Sequence, residues 1–158
     1  MQPYLCSTEL STDNPTIILM DDKKTFDSFG YDALDKYMEH CQGHLYKEIK
    51  LPLYKILTDK GIHNVHIKDE SGEKTPAVEV FQAIISLVKD NLEAFLDKIL
   101  RGVLPEDIYW VISLPAVFTD RAFTVIETAA IQSGIAKNKL NISTEPVSAL
   151  EYCKLMHK

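Results

Sequence analysis

The fold of this chain is decided by residues 108–120, IYWVISLPAVFTD, and by residues 140–150, LNISTEPVSAL. The first stretch is a nearly continuous apolar run that is closed by Pro115. Such a run is typical of a strand covered on both faces, as in a parallel sheet. The second stretch predicts another short strand, after which Glu145 and Pro146 begin a helix.

A helix is predicted between these two strands. Thr119 and Asp120 are suited to cap it, and it extends over about residues 120–133 until Gly134 ends it. Strand, helix, strand and helix together predict a βαβα unit over residues 108–158, with a right-handed crossover. The fold class is therefore α/β, or mixed α+β when the upstream part is included.

The upstream part predicts smaller elements. Residues 1–15 are polar and indicate a flexible leader. Two short apolar runs around a polar turn predict a β-hairpin in residues 16–29, and a helix follows in residues 31–41. Residues 62–67 alternate partly and predict a strand that ends in a Ser-Gly turn, whereas residues 45–57 support no firm assignment.

The longest predicted element is a helix that begins with Thr75 as its N-cap and Pro76 in its first position. It continues for about seven turns to Gly102, a natural C-terminal stop. Its apolar stripe is typical of a helix that packs on a core rather than one that lines a cofactor groove. The stripe consists of Phe81, Ile84, Ile85, Val88, Leu92, Phe95, Leu96, Ile99 and Leu100.

Composition limits the possible functions. The chain has 158 residues, enough for one domain, and a formal net charge of −6. This charge argues against a nucleic-acid partner, which requires a basic face, although backbone amides and a few charges can still bind a nucleotide. Three irregularly spaced cysteines predict reduced thiols and a cytoplasmic location. No apolar run reaches the roughly 18 residues that a membrane span needs.

Glu145 is the first candidate for chemistry, because it follows a strand and precedes a helix. Ligands of open α/β sheets bind beyond the carboxyl ends of strands, and a carboxylate there can hold Mg²⁺ through water. The alternative is an acidic residue that is favoured only by the helix dipole. Walker loops, dinucleotide-binding glycine motifs and nucleophile elbows are absent from the sequence.

A second candidate is a metal cluster of His40, Cys41 and His44, with His63 and His66 as further ligands. Zinc requires about four ligands in a fixed geometry. Gly43 is expected to break the helix that would place His40 and His44 on one face. Solvated histidines are therefore the default interpretation.

Three motifs resemble those of the seventy-kilodalton heat-shock proteins, in the same order and spacing. Residues 111–120 resemble the family's Val-Thr-Val-Pro-Ala-Tyr-Phe-Asn-Asp. Residues 129–135, AAIQSGI, resemble Ala-Gly-x-Ile-Ala-Gly-Leu, and residues 141–150 resemble Ile-Asn-Glu-Pro-Thr-Ala-Ala. Further stretches look like the divergent "twelve" branch of the family, so that the resemblance covers about residues 15–156. These stretches are residues 15–19, 26–31, 45–50 and 75–81.

The resemblance implies an actin-like, ribonuclease-H-like ATPase fold and a chaperone-like, stress-related role. Residues 16–102 would form the outer subdomain of the first lobe, and residues 103–158 part of its core subdomain. Glu145 would contact the Mg²⁺ shell through water, without binding the metal directly, and Lys50 would be the catalytic lysine. Pro115 would be the switch between nucleotide state and substrate domain. The implied cofactors are ATP or ADP with Mg²⁺.

The chain also departs from the family. Phe123 stands where the family has an arginine that couples the ATPase to the substrate domain. The Asp-x-Gly-Thr phosphate loop and the second lobe are missing, so we expect a partial first lobe without ATPase activity of its own. The partner would be the remainder of the ATPase domain, or another chain that completes the sheet. The alternative is a non-catalytic interaction module that works through its long helix or an open strand edge.

Overall fold

The protein is a mixed α/β structure, as the sequence predicts. A computed structural model describes residues 15–47, 49, 51–54, 65–99 and 104–156, apart from the side chains of residues 51, 54, 105 and 155. The strands are β1 (Ile18–Met20), β2 (Phe26–Phe29), β3 (His44–Tyr46), β4 (His66–Lys68), β5 (Lys74–Pro76), β6 (Trp110–Leu114) and β7 (Leu140–Thr144). The α-helices are α1 (Gly30–His40), α2 (Leu51–Tyr54), α3 (Ala77–Ile99), α4 (Asp120–Gln132) and α5 (Glu145–Met156). Short 3₁₀ turns lie at Pro105–Asp107 and Lys137–Lys139.

The predicted β-hairpin is confirmed as β1 and β2, which pair antiparallel. Asp21 shapes its turn, because its Oδ1 accepts hydrogen bonds from the amides of Lys23 and Thr25 at 2.9 and 2.8 Å. β3 pairs with the other edge of β1, so the sheet order is β2-β1-β3. The sequence alone did not assign β3.

The second hairpin corrects the predicted start of the long helix. Thr75 and Pro76 lie in β5 rather than at the N-cap and first turn, and α3 begins at Ala77. Thr75 is fully buried, and its hydroxyl lies 2.8 Å from the hydroxyl of Tyr46 in β3. A buried partner on another strand therefore outcompetes the local capping bond. The predicted stop at Gly102 lies outside the described residues.

The C-terminal βαβα unit is confirmed. β6 and β7 are parallel, and Leu114 pairs with Thr144 at the end of the register. Thr119 caps α4 as predicted, since its side chain accepts a hydrogen bond from the amide of Ala122 at 3.4 Å. α4 packs along α3, where Ser133 Oγ donates to the carbonyl oxygen of Gln82 at 3.1 Å.

The prediction that both faces of β6 are covered is wrong for the part of the chain that the structure describes. Burial alternates along β6, and Val111 is 61% exposed. The opposite face supplies the core, because Leu114 is buried and Ile112 packs against the same apolar cluster. Large apolar side chains are also exposed along α5 and beside β6: Val117, Val147, Leu150, Tyr152 and Met156.

One apolar cluster joins the two halves of the described chain. It includes Ile18 and Tyr46 from the first sheet, Val80 from α3, and Val125 from α4. The predicted division into two subdomains after residue 102 stays a prediction, because the cluster contains residues from both sides of that position. No helix among the described residues is long and apolar enough to cross a bilayer.

Two glycines give a matched test of backbone crowding. Gly43 and Gly72 both have positive φ, at 83° and 89°, but a Cβ on Gly43 would overlap the carbonyl oxygen of Met20, whereas space around Gly72 is open. We expect Gly72→Ala to lower the unfolding free energy by about 1 kcal/mol, because only the left-handed backbone is strained. Gly43→Ala should cost at least about 2 kcal/mol, since strand β1 must also move.

Urea unfolding of the two variants measures this difference. Equal losses at the two positions would contradict the close approach of Gly43 to β1.

Candidate functional site

The parallel register of β6 and β7 brings two sequence-predicted residues to one edge. Pro115 follows Leu114, and Glu145 follows Thr144, which is the residue paired with Leu114. Both therefore lie at the carboxyl ends of neighbouring strands, where open α/β sheets bind their ligands. Glu145 is exposed and opens α5, and Pro115 is half-buried.

This edge also collects two helix N-termini, because α4 follows β6 and α5 follows β7. Each helix has an acidic residue at its start, Asp120 in α4 and Glu145 in α5. Helix dipoles generally favour carboxylates at such positions, which is the simpler interpretation of Glu145. An exposed carboxylate in this position is equally able to hold a hydrated cation.

The predicted catalytic lysine, Lys50, lies outside the described residues, as does His63. Lys47, three residues before Lys50, is exposed beyond the end of β3, and its Nζ lies 3.1 Å from Glu70 Oε2. The structure therefore does not test the role that the resemblance gives to Lys50.

Phe123 packs against the main apolar cluster from the first turn of α4. At the position where the family carries a coupling arginine, this chain thus places an aromatic core residue. The neighbouring Arg121 is half-buried.

The structure separates the residues of the predicted metal cluster. His40 is exposed at the end of α1, and Cys41 is an exposed C-cap with a left-handed backbone (φ 51°). His44 lies in β3, beyond the turn at Gly43, and faces the β4–β5 hairpin. Its Nδ1 is 2.7 Å from Asp69 Oδ2 and 3.8 Å from Glu73 Oε2. His66 is exposed in β4.

Asp69 is the most constrained acid of this new group. Only 2% of its side chain is exposed. Its Oδ1 accepts hydrogen bonds from Ser71 Oγ at 2.7 Å and from the amide of Glu73 at 2.8 Å. Burial alone would raise the pKa of the Asp69 carboxyl, but the hydrogen bonds from His44, Ser71 and the Glu73 amide together lower that pKa below its ordinary value.

Glu73 completes the group from the exposed side of the hairpin. Its Oε1 pairs with Lys24 Nζ at 3.3 Å, while its Oε2 is the atom that faces His44. We name His44, Asp69 and Glu73 the hairpin cluster. Among the described residues, this is the one set of three His, Cys, Asp or Glu side chains whose ligand atoms converge, all within 4.8 Å.

The acids of this cluster were not predicted from the sequence. The Ser71-Gly72 turn was visible as a turn signal, but Asp69 is 25 residues from His44 along the chain. The docking of the hairpin on β3, through a hydrogen bond from the Glu70 amide to the Leu45 carbonyl at 2.8 Å, has no local sequence signature.

Comparison with known proteins supports the resemblance found in the motifs. The chain is 28% identical to mouse heat shock 70 kDa protein 12A over 148 residues, which is 89% of this chain and 22% of that protein. The human 12A protein gives the same identity and coverage. Human heat shock 70 kDa protein 12B is 27% identical over 150 residues, again 89% of this chain and 22% of the relative.

The similarity to the "twelve" branch of the heat shock 70 proteins is therefore confirmed. The chain spans about a fifth of the length of these curated relatives. No protein-family model matches it.

Replacement of Asp69 tests how firmly the hairpin is held. We expect Asp69→Asn to lower the unfolding free energy by about 1–3 kcal/mol, because a buried hydrogen-bonded carboxylate loses its charge and one acceptor. Asp97→Asn on the exposed face of α3 is the matched control and should change stability by less than about 0.5 kcal/mol. Urea unfolding at neutral pH measures both, and equal effects would argue against a structural role for Asp69.

Proposed function

We propose that this chain is a segment of the nucleotide-binding domain of a heat-shock-70-like, chaperone-like protein with an actin-like ATPase fold. The observation that carries the proposal is the common edge of Pro115 and Glu145 at the carboxyl ends of β6 and β7. The similarity to the 12A and 12B proteins over 89% of the chain supports the same assignment.

In this proposal, Glu145 acts through charge and position. Its exposed carboxylate at a strand end would hold the water shell of Mg²⁺ and orient the water that attacks the terminal phosphate of ATP. Pro115, one strand away, would transmit the nucleotide state along β6 and α4. Lys50 would neutralise charge on the phosphates. The stress-related role and the cytoplasmic location remain predictions from the sequence.

We further propose that these 158 residues do not hydrolyse ATP by themselves. Phosphoryl transfer requires positioning and electrostatic stabilisation from several sides of the phosphates. The sequence offers one carboxylate and one lysine for this task and contains neither a Walker loop nor an Asp-x-Gly-Thr loop.

A chimera tests the proposal. Residues 15–156 would replace the aligned segment of mouse heat shock 70 kDa protein 12A, and Mg-ATP binding and turnover would be compared with the parent protein. We expect the chimera to retain the parent's nucleotide affinity to within about ten-fold. Glu145→Gln should then reduce any turnover by about 100-fold, the usual contribution of a positioned acid–base group, and leave binding nearly unchanged.

Two controls accompany this experiment. Glu151→Gln, on the same helix, removes a carboxylate that pairs with Lys154 at 2.7 Å and should leave binding and turnover unchanged. The 158-residue chain alone should give no micromolar Mg-ATP binding by calorimetry. A folded chimera that loses nucleotide binding, or tight Mg-ATP binding by the chain alone, would overturn the corresponding part of the proposal.

A second candidate function is that of a non-catalytic interaction module. It is favoured by the exposed apolar residues of β6 and α5, which include Val111, Val147 and Leu150, each more than half exposed. Within the described residues, β6 pairs with β7 alone, so its other edge is open for a further strand. The remainder of an ATPase domain or another protein chain would fit this edge. α3 is a poorer partner surface, because it packs on α4.

The open edge of β6 predicts that the chain self-associates and that a charged side chain on this strand reduces the association. We expect Val111→Lys to reduce the apparent mass of the purified chain in light scattering, since a lysine on an edge strand disfavours strand addition. Val88→Lys, at a site on α3 that is 51% exposed, introduces the same charge away from the edge and should leave the mass unchanged. A monomeric wild-type chain would count against this candidate.

A further inference from the structure

We propose that the hairpin cluster binds one divalent transition-metal ion, for which Zn²⁺ is the natural probe. The ligands would be His44 Nδ1, Asp69 Oδ2 and one oxygen of Glu73. This inference is independent of the nucleotide function, since it concerns a different part of the chain from Glu145 and Pro115.

The donor set defines the class of metal. One imidazole nitrogen with two carboxylate oxygens suits Zn²⁺ and its neighbours in the first transition row. Mg²⁺ and Ca²⁺ prefer sites built from oxygen alone. Three protein ligands leave room for water to complete a tetrahedral site.

Local charge favours a cation. The carboxylates of Asp69 and Glu73 bring two negative charges, against which Lys24 supplies one positive charge at 3.3 Å from Glu73 Oε1. The Lys24 ammonium pairs with Oε1 of Glu73, whereas Oε2 lies 3.8 Å from His44 Nδ1 and faces the cluster.

The surrounding structure holds the buried ligands in place. Ser71 Oγ and the Glu73 amide both donate to Asp69 Oδ1, which directs Oδ2 towards His44. His44 is fixed by the pairing of β3 with Met20 in β1. Hydrogen bonds to a ligating carboxylate are the typical outer shell of a metal site, because they orient the ligand before the metal arrives.

The cluster needs only a small adjustment to accept the ion. Metal bonds of about 2.0–2.1 Å separate neighbouring ligand atoms by roughly 3.4 Å. The distance between His44 Nδ1 and Asp69 Oδ2 would increase from 2.7 Å, and the distance between Nδ1 and Glu73 Oε2 would decrease from 3.8 Å. Glu73 can make this movement because its side chain is 50% exposed. The metal would replace the direct hydrogen bond between His44 Nδ1 and Asp69 Oδ2.

Calorimetric titration of the chelator-treated 158-residue chain with ZnCl₂ tests the site. We expect saturable binding of about one ion at this site, reversed by chelator. His44→Asn should weaken this binding by at least about ten-fold. Asparagine places an amide near the position of Nδ1 and can still donate to Asp69, so the hairpin contact is kept while the metal-binding nitrogen is lost.

Glu73→Gln is the second test variant. It changes an exposed side chain and should weaken Zn²⁺ binding without loss of secondary structure in circular dichroism. The control variants are His40→Asn and Cys41→Ser, which remove the cluster suggested by the sequence alone and should bind as the wild type does.

Cobalt substitution identifies the ligands independently. Bound Co²⁺ should give the visible bands of a nitrogen and oxygen site, without the intense near-ultraviolet band of a cobalt–thiolate bond. Absence of binding in a folded wild-type chain would overturn the proposal. So would unchanged affinity in both His44→Asn and Glu73→Gln, or a thiolate band that Cys41→Ser abolishes.

Discussion

The hydrogen bond between Tyr46 and Thr75 is the contact on which much of the arrangement depends. Both residues are fully buried, and their hydroxyls lie 2.8 Å apart. The bond ties the first sheet to the second hairpin at the position where α3 starts. α3 then packs on α4, so this bond lies at the start of the helix against which the C-terminal βαβα unit packs. Burial raises the pKa of the Tyr46 phenol and outweighs the opposing effect of its bond to Thr75, so the group stays neutral across the physiological range.

Local signals predicted the C-terminal unit well. The apolar run before Pro115, the Thr119 cap and the strand before Glu145 each act within a few residues, and the structure has all three where the sequence puts them. The start of α3 was predicted wrongly because the Thr75 side chain hydrogen-bonds to Tyr46 on another strand and lies in β5. Propensity and capping rules do not include such tertiary partners.

The two candidate sites also differ in how far local sequence predicts them. The Glu145 edge could be predicted, since a parallel crossover and a family motif both point to it. The hairpin cluster could not, because His44 meets Asp69 and Glu73 only after the β4–β5 hairpin docks on β3. The predicted histidine and cysteine cluster relied on proximity in sequence, and the turn at Gly43 sends His40 and His44 to different surroundings.

The parallel pairing of β6 and β7 also costs chain entropy on folding, because a long connection must be closed. The chain that connects the paired residues Trp110 and Leu140 is about five times as long as the chain that connects Met20 and Phe26, which pair in the first hairpin. By the logarithmic dependence of loop closure on length, the longer connection costs about 1.4 kcal/mol more chain entropy. The first hairpin closes with a short turn, in which the Asp21 side chain accepts hydrogen bonds from two amides. The packing of α4 against α3, and of α5 against β6 and β7, offsets part of the cost of bringing the two parallel strands together.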